Sequence, residues 1–361
     1  MSSEASFSAI APGRVCIFGE HSDYLGLDVI PAAIGMYIEI SCSPRDDSLI
    51  EIRYLDLGAE DAFVVDKEIE YPHQRDYVRS AFNVLRRHGL APSSGFSMHV
   101  TGNIPIGGGL SSSSALTVAS VLAYSRMAGE ILEPKMVAEL AFEAEVKEFG
   151  ESGGKMDHYA SAYGGIIHLT TKPRIEVTRI PAAINGLVIG DSREKKRDTV
   201  GDLAEIRNLA ETGYRKLAQH IEGFDQTKTT LEQTEPFLKR LTSREQTVVE
   251  ATLKNRDLTH RAYDCLKSND YEPEELGSMI DQHHIYLRDG LKRSTKKIEE
   301  MIHAAKKAGA LGCKINGSGG AGTMLAYCPG REGVVSLAIR RAGGTPYVVS
   351  IAQGAHLSIQ D

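Results

Sequence analysis

The sequence holds no pair of cysteines close enough to act together. Five are spread over its 361 residues, Cys16, Cys42, Cys265, Cys313 and Cys328, with no C-x-x-C pair among them. An odd, scattered set offers neither a disulfide framework nor a thiolate zinc site, and fits a reducing compartment. No stretch of about 18 apolar residues occurs, and the start, MSSEASFSAIAPG, lacks the basic and apolar regions of a leader. The chain is therefore expected in the cytoplasm, with no membrane partner. A basic surplus is also missing: 41 Lys and Arg stand against 48 Asp and Glu, a formal net charge of -7. That balance argues against a nucleic-acid binder. The basic runs at 193–197 and 292–297 are interleaved with polar residues and read as solvated faces. Repeats and low-complexity segments are absent, which removes solenoids and long disordered linkers.

What remains is ordinary globular material, 42% hydrophobic and 25% charged, long enough for two domains or one large one. Strand patterns at 7–18, 29–41, 48–54 and 96–101 dominate the first hundred residues, with one helix predicted over 77–88. Helical spacing follows over 110–126 and 135–149, then a strand at 165–169. After a strand at 186–190, helical periodicity runs from about 199 to 305, with breaks near Phe224, Pro236 and Pro273. Strands at 313–316, 323–327 and 346–351 and a helix at 333–342 close an α+β pattern.

Four stretches carry candidate chemistry. NIPIGGGLSSSSALT, 103–117, sets glycines and serines where a helix begins. Glycines let backbone amides approach an anion, and the first N–H groups of a helix lack intrahelical partners. Serine hydroxyls add donors, and one can be an oxygen ligand for Mg²⁺. The lysine of a Walker loop is missing; a flexible linker or a serine cap gives the same letters. APGRVCIFGEHSDYLG, 11–26, gathers Arg14, Glu20, His21 and Asp23 at the end of an apolar strand. Such a group suits several sugar hydroxyls, or merely a charged turn. In AEVKEFGESGGKMDHYASAYGG, 144–165, Glu145 and Asp157 flank a glycine loop. Asp157 can accept a proton from a hydroxyl, or act as an acid at a helix start. KINGSGGAGTMLAY, 314–327, is a glycine loop between strands, for a hairpin or a close backbone approach.

In order and spacing the four resemble the GHMP kinase superfamily, named for galactokinase, homoserine kinase, mevalonate kinase and phosphomevalonate kinase. Its P-x-G-x-G-L-S-S-S-A motif is met at Pro105, Gly107, Gly109, Leu110, Ser111, Ser112 and Ser113, with Ser114 where alanine is usual. GRVCIFGEHSDYLG is similar to the galactokinase form of the first motif, whereas mevalonate kinases read P-G-K there. Glu145, Gly150, Gly154, Met156 and Asp157 match a galactokinase stretch in spacing.

The resemblance implies a fold, a reaction and roles. The expected fold is α+β: an N-terminal domain over 1–185 of the ribosomal-protein-S5-like type, and a ferredoxin-like C-terminal domain with extra helices over 186–361. ATP and Mg²⁺ are expected cofactors. Asp157 would be the catalytic aspartate with Arg14 as partner. Pro105, Gly107, Gly108, Gly109, Leu110, Ser111, Ser112 and Ser113 would cradle the ATP phosphates. Ser113 and Glu145 would hold the metal, while Glu20, His21, Asp23 and Gly154 would hold the sugar. The expected acceptor is the anomeric hydroxyl of a galactose-like monosaccharide, in a monomer or homodimer. A kinase for mevalonate or another polyol, and an inactive sugar and ATP sensor, are the alternatives. Three departures bear on the sugar more than on phosphoryl transfer. No tyrosine precedes Tyr214 after the strand at 186–190, Glu151–Gly154 replaces V-P-C-G, and the last glycine loop reads G-S-G-G-A-G.

Overall fold

Alternating apolar residues in the first hundred positions build β1 (Phe7–Phe18), β2 (Ile30–Pro44), β3 (Leu49–Tyr54), β4 (Ala59–Val64) and β5 (Phe96–Gly102). The computed structural model describes residues 6–195, 199–268 and 271–359, so residues 196 and 197 of the basic run lie outside the described residues. β1 and β2 pair antiparallel, and their register slips between Pro12 and Arg14 and again between Cys16 and Phe18. Such bulges re-aim side chains, and the first falls beside Arg14. With the last strand, β12 (His356–Ile359), the sheet is ordered β12-β1-β2-β5-β3-β4, and β6 (Ile166–Thr170) attaches at β2 with β7 (Glu176–Ile180) paired on β6.

Four helices cover this sheet. α1 (Tyr77–Arg87) starts at Asp76, whose carboxylate accepts from the Arg79 amide at 3.2 Å. α2 (Ser112–Met127) is apolar on nearly all sides, as a helix enclosed by protein must be. It packs on β1 and β2, with α1 and α3 (Pro134–Phe142) against it and α4 (Met156–Tyr163) beside it.

A second, four-stranded antiparallel sheet has the order β11-β8-β10-β9, from β8 (Leu187–Asp191), β9 (Gly312–Asn316), β10 (Thr323–Tyr327) and β11 (Thr345–Val349). The helical stretch resolves into α5 (Thr199–Ala218), the short α6 (Leu231–Thr234), α7 (Ser243–Ser268), α8 (Pro273–Ile285) and α9 (Lys296–Lys307), with α10 (Glu332–Arg341) before β11. Its core, including Val249, Leu253, Met301, Ile315, Met324 and Ile339, is separate from the larger core under the first sheet. The architecture is the two-domain α+β arrangement expected. Among the described residues no helix is long and apolar enough to cross a membrane.

The structure departs from the sequence reading in four places. β4, β7 and β12 (His356–Ile359) were not anticipated; β12 returns to the first sheet and pairs with β1, Phe7 opposite Ile359. A division at 185/186 falls between β7 and β8 but assigns β12 to the second half, away from the sheet it completes. The single helix expected over 135–149 is α3 followed by one π turn, Glu143–Lys147. The run at 292–297 is not wholly solvated: Arg293 is buried, donating to Asp202 Oδ2 at 2.6 Å and to the Ser318 carbonyl at 2.9 Å.

Candidate active site

A cleft of about 430 Å³ opens where the end of β1, the start of α2 and the start of α4 converge beneath the β9–β10 loop. Arg14, buried, anchors it. Its Nε donates to Asp157 Oδ1 at 2.7 Å and its Nη1 to the Gly109 carbonyl at 2.6 Å. One guanidinium therefore spans two functional segments, a task its rigid fork suits. Burial opposes the charge of Asp157, but the Arg14 charge and hydrogen bond outweigh it and hold the carboxyl below its usual range.

The glycine and serine stretch forms a loop and then a helix. Gly107 and Gly109 have positive φ, and Ser111 adopts φ 59° as it opens α2. The first intrahelical bond runs from the Ala115 amide to the Ser111 carbonyl, so the amides of Ser112, Ser113 and Ser114 have no acceptor within the helix. All three serines line the cleft with Gly107, Gly109 and Ser111. Unpaired amides at the positive end of a 16-residue helix suit an anion. Pro105, Gly108 and Leu110 lie behind this surface. The Leu110 carbonyl accepts from the Arg14 amide at 3.1 Å, and the Pro105 carbonyl accepts from the Gly108 amide at 3.2 Å.

At the other end three acidic side chains meet. Glu20 Oε2 accepts from Lys314 Nζ and from the Gly317 amide, each at 2.9 Å. Burial works against the charge of Glu20, yet Lys314 and Arg14 lower its pKa. Asp23 Oδ2 accepts from the Met156 amide at 2.9 Å. Burial nevertheless pushes Asp23 up to about 6, with nearby Asp157 adding to the rise. A Cβ on Gly154 would coincide with the Asp23 carboxylate, so the glycine there makes room for the acid. His21 holds a left-handed φ of 64°, its Nδ1 2.8 Å from the Tyr24 hydroxyl. Tyr214, the first tyrosine after β8, is in the second core against Thr252, not in the cleft.

Glu145 reaches the cleft from the π turn. The wider turn rotates it out of the register α3 would impose, a common use of such turns. Its Oε2 lies 2.7 Å from His158 Nε2. Among the described residues no group of three or more His, Cys, Asp or Glu could hold a metal ion unaided. Glu145 with a serine hydroxyl and an incoming phosphate nonetheless fits Mg²⁺, which takes one or two carboxylates and completes its shell from phosphate and water.

The sequence reading missed His158, Lys314, Asn316 and Thr323. Asn316 Nδ2 donates to the Gly109 carbonyl at 2.8 Å, while its Oδ1 accepts from the Cys16 amide at 3.1 Å. Thr323 Oγ1 donates to the Gly108 carbonyl at 2.8 Å. The β9–β10 glycine loop therefore docks on the glycine-serine loop: a Cβ at Gly317 would strike Gly109. The available signal was Lys314 and Asn316, two polar residues on one face of a strand whose alternate positions are Cys313 and Ile315.

Residues 76–165 match the GHMP kinases N terminal domain, 264–343 the GHMP kinases C terminal domain, and 1–44 the galactokinase galactose-binding signature. A mevalonate kinase of Thermococcus onnurineus is 30% identical over 356 residues, 95% of this chain and 96% of the relative. A galactokinase of Staphylococcus saprophyticus is 27% identical over 338 residues, 90% of this chain and 86% of the relative. Among solved structures, Lactococcus lactis galactokinase complexed with galactose matches with TM-score 0.87 at 19% identity, covering 98% of this chain and 95% of that one. The mevalonate kinase of Methanococcus jannaschii matches with TM-score 0.74 at 18% identity, covering 97% and 99%.

Proposed function

The chain belongs to the GHMP kinase family, and we propose that it moves the γ-phosphoryl group of ATP to the anomeric hydroxyl of a galactose-like sugar or sugar derivative. The observation carrying the sugar reading is the set of three carboxylates, Glu20, Asp23 and Asp157, opposite a cradle of backbone amides. Carboxylates accept hydrogen bonds from hydroxyls, as a neutral polyol requires. An anionic acceptor such as mevalonate would find no free cation among the described residues here, with Arg14 already engaged by Asp157 and Lys314 by Glu20, and would face the Asp23 carboxyl. The galactose-binding signature spans Arg14, Glu20, His21 and Asp23.

In this reading the ATP phosphates lie on the amides of Ser112, Ser113 and Ser114 beside Gly107 and Gly109, and Glu20, His21, Asp23 and the Gly154 backbone hold the sugar. The C1 oxygen attacks the γ-phosphorus, the bond from γ-phosphorus to the bridging oxygen breaks, and the products are a sugar 1-phosphate and ADP. Asp157, kept ionised by Arg14, is a weak base. Its task is to orient the hydroxyl and to receive its proton late, which suits a loose phosphoryl-transfer transition state. Ser113 and Glu145 would hold Mg²⁺, which neutralises phosphate charge when bound.

A second reading, a mevalonate kinase, is favoured by the relatives of that name at 30% identity. A panel of monosaccharides, uronic acids and mevalonate, with ATP consumption measured and the phosphorylated position read by NMR, separates the two. Turnover of a galactose-like sugar to its 1-phosphate supports the first reading; turnover of mevalonate without any sugar overturns it.

A further inference from the structure

The first turn of α4 presents adjacent residues to two different partners. Asp157 meets Arg14, and His158, buried, places Nε2 2.7 Å from Glu145 Oε2. Among the described residues His158 is the only hydrogen-bonding partner of the Glu145 carboxylate. The other ring nitrogen, Nδ1, is buried and meets no partner among the described residues. A buried N–H without an acceptor is costly, so the ring proton belongs on Nε2, which donates to Glu145. The edge of the ring rests against Phe142, with centroids 5.7 Å apart and planes at 82°. Phe142 immediately precedes the π turn that carries Glu145, so ring and carboxylate are steered by one short segment.

We propose that His158 is a positioning residue: by donating from Nε2 to Oε2 it fixes the Glu145 carboxylate, leaving Oε1 to face a divalent cation bound with the nucleotide. Glu145 is a long side chain in a single π turn, and among the described residues no other side chain holds its head group. A single N–H donor engages one carboxylate oxygen and leaves the other free. The donor and Asp157 are neighbours on one helical turn, which ties the placement of the cation to that of the acceptor hydroxyl. This inference rests on the metal role given to Glu145 above.

The test measures Mn²⁺ binding to the enzyme–ADP complex by electron paramagnetic resonance, which needs no turnover. His158→Leu removes the donor and is expected to weaken Mn²⁺ about 10-fold or more, the usual cost of losing an outer-shell partner. ADP affinity without metal should stay unchanged. His158→Gln, which keeps an N–H donor, should recover most of the loss; a residue that only fills space would not show that rescue. Should His158→Leu fail to fold, His158→Asn, polar but too short to reach Oε2, takes its place. Glu145→Gln separates the two ideas. If Glu145→Gln weakens Mn²⁺ while loss of the His158 donor does not, or Gln rescues no better than Leu, the positioning role is overturned. If Glu145→Gln leaves Mn²⁺ binding unchanged, the metal role falls and the inference with it.

Discussion

Asp23 occupies the space that a Cβ on Gly154 would need, and its Oδ2 is held there by the Met156 amide at 2.9 Å. The glycine and the acid are 131 positions apart in sequence (154 − 23) and behave as one unit. Gly154→Ala is therefore expected to push Asp23 aside and raise the KM for the sugar. A misplacement of about 1 Å in such a site costs on the order of 100-fold in activity. The KM for ATP should move little. Steady-state kinetics in both substrates check this, and an unchanged sugar KM would show that Asp23 does not touch the acceptor.

Asp23 also sets a pH dependence. Burial raises its pKa from an ordinary carboxylate value to about 6, so it loses acceptor capacity as pH falls through about 6. The kcat/KM for the sugar should fall on acidification across that range, and Asp23→Asn should abolish that limb. Stability runs the other way. The folded pKa lies above the unfolded one, so the ionised acid is a penalty, full above pH 6, that fades as pH falls toward 4. Asp23→Asn should melt higher than the native protein at pH 7.5, with the gap closing near pH 4. A gap independent of pH would show that Asp23 titrates normally.

Arg14 and Asp157 predict a split between binding and chemistry. Asp157→Asn keeps the shape but removes the charge that faces Arg14 at 2.7 Å. Turnover should drop by about 10² to 10⁴, the range for loss of a positioned acid or base, while ADP still binds. Arg14→Lys keeps the charge but cannot reach both Asp157 and the Gly109 carbonyl, so it should impair turnover nearly as much. Isothermal titration with ADP beside turnover measurements decides it. Full turnover in Asp157→Asn would overturn the mechanism.

The sequence made the segments legible because each carries its own local signal. Glycines and serines announce the start of α2, and a charged cluster ends β1. The helical character of 199–305 followed from the apolar period, and Pro273 does begin α8, while the break between α8 and α9 left no such mark. What local signal cannot carry is contact between distant segments. Lys314 reads as an ordinary strand lysine until the fold buries it against Glu20, 294 residues away. Asn316 reads as the last residue of a strand, yet both ends of its amide are used across the two halves. β12 is too short, at four residues, to announce itself, and owes its place to pairing with β1. The π turn eludes a periodicity argument because its residues keep helical spacing until one extra residue shifts the phase.

The Asn316 bridge predicts a loop that loses its seat. Asn316→Asp keeps the acceptor for Cys16 but turns the donor facing the Gly109 carbonyl into a second acceptor. The Gly109 carbonyl keeps its Arg14 donor, but the new buried acceptor facing it has none, and a buried polar group left without its partner costs about 1 to 3 kcal/mol, so the melting temperature should fall. Displacement of Gly109 should also weaken ADP binding. A variant that melts lower but binds ADP as before would show that Gly109 does not depend on this contact.

Lys314 and Glu20 give the sharpest separation of stability from function. Both are buried, and Lys314 Nζ donates to Glu20 Oε2 and to the Cys16 carbonyl. Lys314→Met strands the carboxylate in a water-poor site, and breaking such a pair from one side costs about 3 to 5 kcal/mol. The double variant Lys314→Met with Glu20→Gln removes the stranded charge, and most of the lost stability should return. The Glu20 pKa lies below its ordinary value, so the pair contributes fully above that value and its contribution is lost as pH falls through the folded pKa. Activity should not return in the double variant if Glu20 accepts from a sugar hydroxyl, because an amide has one acceptor oxygen where the carboxylate has two. Urea denaturation of the single and double variants reads the first effect, and the sugar KM reads the second. Recovery of both together would reduce Glu20 to a structural partner of Lys314.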